Sequence, residues 1–175
     1  SQETRSRETL AQSVRRCYAL HPQCVQRECQ GFSRQERDRV RVCSMVQTMV
    51  CIVIGSANDW PIMQGAAEIL ARFHIPYEVT VSSAHRAPQR TATLAREAAQ
   101  RGVQVLIAGA GGAAALAGVI AAETTLPVIG VPIDSSSLQG LDALLATVQM
   151  PQGVPVATVA IGKAGAANAG ILAAQ

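Results

Sequence analysis

The chain has 175 residues, 49% of them hydrophobic and 15% charged, a length that a single domain can fill with a core of its own. That composition excludes disorder over most of the chain, and its five aromatic rings (Tyr18, Phe32, Trp60, Phe73 and Tyr77) are too few for the stacking platforms of a single-stranded nucleic-acid binder. The net charge of +3 is uneven: residues 1–49 hold nine Arg and five acids, whereas residues 50–175 hold six basic and seven acidic residues, so the larger part carries no electrostatic footprint for nucleic acid.

Residues 1–48 read as a basic N-terminal extension without its own core. Leu10, Val14, Cys17 and Tyr18 fall at helical spacing, which predicts a short amphipathic helix over 8–20 that ends at His21-Pro22. Residues 30–41 are rich in Arg, Gln and Asp and read as solvated. The first nine residues are polar and charged, unlike a secretory signal. The five Cys (17, 24, 29, 43 and 51) are odd in number and none follows Cys51, so reduced thiols in a cytoplasmic protein are expected rather than a disulfide framework. Cys17, His21, Cys24 and Cys29 lack a paired Cys-x-x-Cys, and no metal site is expected from them.

An α/β domain is predicted over 49–175. Val50 to Ile54 is an unbroken apolar run that ends in Gly55-Ser56, the pattern of a strand buried on both faces. Pro61 suits a first helical turn, and Ile62, Ala66, Ile69, Leu70 and Phe73 then share one side of a helix broken at Ile75-Pro76. A strand is predicted at 77–81, a loop at 82–88, and a helix over 88–101 stopped by Gly102. A strand at 103–108, a glycine turn at 109–112 and an Ala-rich helix at 113–123 follow. The remaining elements are a strand at 126–131, a helix at 138–148 after Ser135 to Ser137, a strand at 154–161 and a helix from 164. That helix reaches Gln175 with no Gly, Pro or basic cap, which predicts a shortened C-terminal helix. Alternating apolar strands and helices predict a parallel sheet between two helical layers, a three-layer sandwich. Residues 102–122 carry no charge, but their Gly and Ala content fits a buried strand, a turn and a helix better than a membrane span.

Ligands of open α/β sheets bind beyond the carboxyl ends of the strands. Three such ends are small and polar: Gly55 to Asp59, Ser82 to Arg86, and Gly109 to Ala113. Glycines let backbone N–H groups approach an anion, and Arg86 offers a fork of donors matched to phosphate. Neither a dinucleotide-binding nor a P-loop pattern is present. His85 stands beside Arg86, and an imidazole can give and take a proton near neutral pH, so His85 is the candidate general acid/base.

Gly55-Ser-Ala-Asn-Asp-Trp60, Ser83-Ala-His-Arg86, Ala108-Gly-Ala-Gly-Gly-Ala-Ala114, Leu126 to Pro132, Val148-Gln-Met-Pro151 and Gly153 to Gly162 follow one another in an order that resembles the bacterial N5-carboxyaminoimidazole ribonucleotide mutases of purine (IMP) biosynthesis. The resemblance spans about residues 50–175. It implies a flavodoxin-like sheet, a homo-octamer with sites built between subunits, and no metal or organic cofactor. It implies movement of a carboxylate from N5 to C4 of an aminoimidazole ribonucleotide by decarboxylation and recarboxylation. Carried over residue by residue, it gives His85 the acid/base role and places Ser56, Asp59 and Arg86 at the ribose-phosphate end. Ser83, Gly111 and Gly112 are expected in the pocket, where the glycine backbone would face the carboxylate or CO2.

Two positions depart from the family pattern. Asn58 stands where the family usually has Ser, and Ala115 where it usually has His. Alanine neither titrates nor donates. Two other readings therefore stand beside the mutase: a carboxylase that uses CO2 directly, and a nucleotide-binding homologue with impaired catalysis. A flavin carrier fits the fold class alone, but the scarcity of aromatic rings argues against it.

Overall fold

The computed structural model describes residues 48–175. The helix expected over 8–20, the solvated stretch at 30–41, and Cys17, His21, Cys24 and Cys29 all lie outside the described residues.

The order is β1 (Val50–Ile54), a 3-10 turn (Ala57–Asp59), α1 (Trp60–Arg72), β2 (Tyr77–Val81), α2 (Pro88–Glu97), a second 3-10 turn (Ala99–Arg101), β3 (Val105–Gly111), α3 (Leu116–Ala122), β4 (Val128–Ile133), α4 (Leu141–Val148), β5 (Ala157–Thr158) and α5 (Gly162–Ala174). All strand pairs are parallel, in the order β2-β1-β3-β4-β5. The chain runs outward from β1 to β2, then returns across β1 to β3. The direction of winding therefore switches between β1 and β3, and a crevice opens at their carboxyl ends.

Side chains alternate across each strand. Val50, Ile52 and Ile54 join Ile107, Ile129, Val131 and Ile133 beneath Met63, Ala66 and Leu70 of α1 and Ala166 and Ala169 of α5. Cys51 and Val53 face the other way, with Leu106, Ala108 and Val128 packed against Ala95 of α2 and Leu116, Ala117 and Ile120 of α3. Each large aliphatic buried in this way stabilises the fold by about 1.5–3 kcal/mol. The three expected layers are present, with α1 and α5 on one side.

Four expectations need correction. Phe73 is 55% exposed, because α1 ends at Arg72 and His74 then takes a left-handed backbone (φ 56°). The buried stripe of α1 is instead Met63, Ala66, Ala67 and Leu70. The expected glycine turn at 109–112 is largely strand: β3 starts two residues later than expected and runs through Gly109 to Gly111, paired with Val131 to Ile133. Its start is delayed because the Val103 N–H donates to Ala98 O and closes the preceding helical segment after the left-handed Gly102. β5 is only two residues long, since it has one neighbour and lies just after Pro155. The helix expected from 138 begins at Leu141, after left-handed Gln139 and Gly140.

The charge-free stretch at 102–122 resolves into β3, a turn and the short α3. Among the described residues no helix is long and apolar enough to cross a membrane.

Candidate functional site

The carboxyl ends of β1, β2, β3 and β4 surround a cavity of about 420 Å³. Its wall includes Ser56, Asp59, Ser83, His85, Arg86 and Gly111. The structure thus brings six of the seven residues singled out above to one place. Gly112 is not part of the wall; it is the left-handed turn (φ 60°) just past the end of β3.

The β1 loop is organised by a capping box. The Ser56 backbone N–H donates to Asp59 Oδ2 at 2.9 Å, and Ser56 Oγ accepts from the Asn58 N–H at 3.3 Å. Because Ser56 Oγ is only an acceptor there, its hydroxyl proton stays available to a ligand. Asp59 is 7% exposed. Burial pushes its carboxyl above the ordinary range, opposed by the Ser56 N–H, which favours the charged form.

The β2 loop presents His85 and Arg86 on the surface of the cavity. The Ser82 N–H donates to Ile54 O at 2.9 Å, which ties the start of the loop to β1. The buried Ser82 and Thr91 hydroxyls lie 2.8 Å apart, and Thr91 Oγ1 donates to Ala87 O at 3.2 Å. A threonine hydroxyl has one proton, so Ser82 is the donor to Thr91. Ser83 Oγ accepts from the Arg86 N–H at 3.3 Å, and the Ala87 N–H donates to Ser83 O at 2.9 Å. The loop bearing the imidazole and the guanidinium is therefore held at both ends while the two side chains remain free to meet a ligand.

The glycines in the last residues of β3 serve close approach more than turning. A Cβ on Gly109 would collide with the Met63 side chain, and one on Gly111 would overlap the Ser135 hydroxyl. Ala114, Ala115 and Leu116 complete this side of the cavity with no polar side-chain atom.

Two features escaped the sequence reading. Ser135 follows β4 at the same sheet edge and lines the cavity, although it reads as the approach to a helix. The rule that ligands sit past strand ends, applied to β4 as well, points to it. The Ser82–Thr91 pair is nine residues apart and carries no motif, so only the fold reveals it.

Among the described residues no group of His, Cys, Asp and Glu is arranged to hold a metal. The arrangement offers one fixed cation, Arg86, for an anionic group, one buried carboxyl to accept from hydroxyls, and one imidazole able to transfer a proton.

The family model described as AIR carboxylase matches residues 49–175. The N5-carboxyaminoimidazole ribonucleotide mutase of Aliivibrio fischeri is 60% identical over 126 residues, 72% of this chain and 78% of that protein. The protein of the same name from Bacillus subtilis is 58% identical over 130 residues, 74% of this chain and 80% of the relative. A crystal structure of Treponema denticola PurE superposes with a TM-score of 0.63 at 30% identity and covers 72% of this chain and 77% of that one. With the match running from residue 49 to the end, on a sheet wound as the site requires, the chain belongs to the AIR carboxylase family.

Proposed function

We propose that this protein is an N5-carboxyaminoimidazole ribonucleotide mutase of purine biosynthesis. The observation that carries the reading is the placing of His85 and Arg86 on one immobilised loop, facing the same cavity as Asp59 and Ser56, in a domain closely related to proteins of that name. Arg86 and the free Ser56 hydroxyl bind the phosphate, and Asp59 accepts from the ribose hydroxyls. His85 protonates N5 as the N–C bond to the carboxylate breaks and CO2 departs. Carbon C4 then attacks CO2, and the C4 proton returns to His85, so the imidazole ends as it began. Gly111, Ala114 and Ala115 leave room for CO2 without offering it a competing nucleophile.

Residues 1–48 are read as a basic extension ahead of the catalytic domain at 49–175. The assembly is read as a homo-octamer, supported by the exposed Leu141, Leu145 and Val148, which share one side of α4, and by Ile171 and Leu172 of α5. The reaction is placed in the cytoplasm, where a free thiol such as Cys51 stays reduced.

Ala115 favours a second reading, a homologue that binds nucleotide but turns over poorly, because the residue on that wall cannot titrate. A turnover assay with N5-carboxyaminoimidazole ribonucleotide, beside the Ala115→His variant, decides between them. The mutase reading expects conversion by the natural chain. Tight binding with no conversion, restored by Ala115→His, would replace it with the second reading.

A further inference from the structure

We propose that the Ser135 hydroxyl is a further substrate-binding group, which donates to the carboxylate that migrates; this rests on the mutase reading of the site. Ser135 is the second residue past β4, and its side chain reaches the cavity over the end of β3, where Gly111 has no Cβ to exclude it. Among the described residues no hydrogen bond uses the Ser135 side chain. Its neighbour Ser136, by contrast, donates to Asp142 Oδ1 at 2.8 Å and accepts from the Leu138 N–H at 3.2 Å. Ser136 is thus spent on the loop, and Ser135 is left with a proton to give.

The sheet order settles which end of a ligand this donor meets. Arg86 follows β2 and Ser135 follows β4, and β1 and β3 lie between them. Three strand spacings separate the two loops at their roots, about 14 Å. An elongated ligand with its phosphate on the guanidinium points its far end toward Ser135. On an aminoimidazole ribonucleotide that far end is the base with its carboxylate. Gly111, Ala114, Ala115 and Leu116 add no polar side-chain atom on the β3 side of the cavity, so beside the proton that His85 delivers to N5, the Ser135 hydroxyl is the donor that the β4 end offers to the carboxylate. A neutral donor also suits a group that must leave as CO2. A cation in its place would hold the ground-state carboxylate more tightly than the transition state, in which that charge moves away.

The test is calorimetric titration of the full chain and its Ser135→Ala variant with two ligands, aminoimidazole ribonucleotide and 4-carboxyaminoimidazole ribonucleotide. The hydrogen bond to a charged acceptor predicts that Ser135→Ala weakens the carboxylated nucleotide about tenfold or more and changes the uncarboxylated one less than about twofold. Equal weakening of both, or of neither, overturns the assignment while the natural chain still binds both and the mutase reading stands. Failure of the natural chain to bind either nucleotide overturns that reading and this inference with it.

Discussion

Ser56 and Asp59 grip each other across a single turn: the Ser56 N–H donates to Asp59 Oδ2 at 2.9 Å, and the Asp59 N–H donates back to Ser56 O at 3.1 Å. The turn brings a carboxyl to the cavity wall and buries most of it. Desolvation raises its pKa above the ordinary 3.8, and the Ser56 N–H offsets part of the rise. A carboxyl with a raised folded pKa binds its proton more tightly in the folded state than in the unfolded chain. Its favourable contribution is therefore complete below the unfolded value and is lost as pH rises through the folded one. The natural chain is expected to lose unfolding free energy relative to Asp59→Asn as pH climbs from 3.8 toward neutrality. Urea midpoints of both proteins across that range check it, and a constant difference would show that Asp59 is not perturbed.

His85 has the only imidazole on the described cavity wall. The variant His85→Asn keeps a hydrogen-bonding side chain of similar reach but cannot shuttle a proton. Turnover is expected to fall by about a hundred- to ten-thousand-fold. The dissociation constant for aminoimidazole ribonucleotide should change by less than about threefold, because Arg86 and Asp59 are untouched. Turnover retained in this variant would remove His85 from the acid/base role.

The loop that carries these groups depends on the buried Ser82–Thr91 hydroxyl pair. Thr91→Val keeps the shape and deletes the acceptor, which leaves the Ser82 donor buried without a partner. A loss of about 1–3 kcal/mol in unfolding free energy is expected. The double variant Ser82→Ala with Thr91→Val should lose less than the sum of the two single losses, since Thr91→Val alone orphans the Ser82 hydroxyl whereas Thr91 keeps its bond to Ala87 O when Ser82 is removed. Strict additivity in denaturant titrations would show that the pair is not coupled.

The helices and strands of 49–175 are readable in the chain wherever apolar runs end in small polar residues, as Val50 to Ile54 ends at Gly55-Ser56. The same local signal misled at Gly109 to Gly111. Three glycines within four residues suggest a turn, but the absence of side chains there accommodates Met63 and Ser135 while the backbone stays in the sheet. Phe73 shows the opposite failure, since helical spacing put it with Ile69 and Leu70 although the helix had already ended. The cavity was readable because its residues cluster just past strand ends. Ser135 also lies past a strand end, but Ser135 to Ser137 read equally as the approach to a helix, and no pattern along the chain reports that its partner in space is Gly111 on another strand.

Gly165 sits in the first turn of α5, where an added Cβ would overlap the Ala160 carbonyl oxygen and stand 2.6 Å from its carbon. The obstacle is backbone, which cannot swing aside as Met63 could from Gly109. Gly165→Ala is expected to cost about 3 kcal/mol or to prevent folding, at the upper end of overpacking effects. The contrasting variant Gly153→Ala meets no atom within 4 Å, and its cost comes only from the left-handed backbone (φ 97°). Melting temperatures of the two variants should therefore rank Gly165→Ala well below Gly153→Ala, and the reverse order would contradict the packing of α5 onto the loop before it.

Cys51 pairs in register with Glu78 of β2, and Arg101 reaches the same carboxylate at 2.6 Å. Burial, followed by the charge and hydrogen bond of Glu78, pushes the thiol up to about 12, with Arg101 pulling the other way. At pH 8 almost none of it is thiolate, the form that reacts with alkylating agents. Iodoacetamide applied to the folded chain should leave Cys51 unmodified, and the same reagent in denaturant should label it fully. Peptide mapping distinguishes Cys51 from Cys17, Cys24, Cys29 and Cys43. Labelling of Cys51 in the folded protein at the rate of a free thiol would mean that β1 does not lie between β2 and β3 with its side chains sealed on both faces.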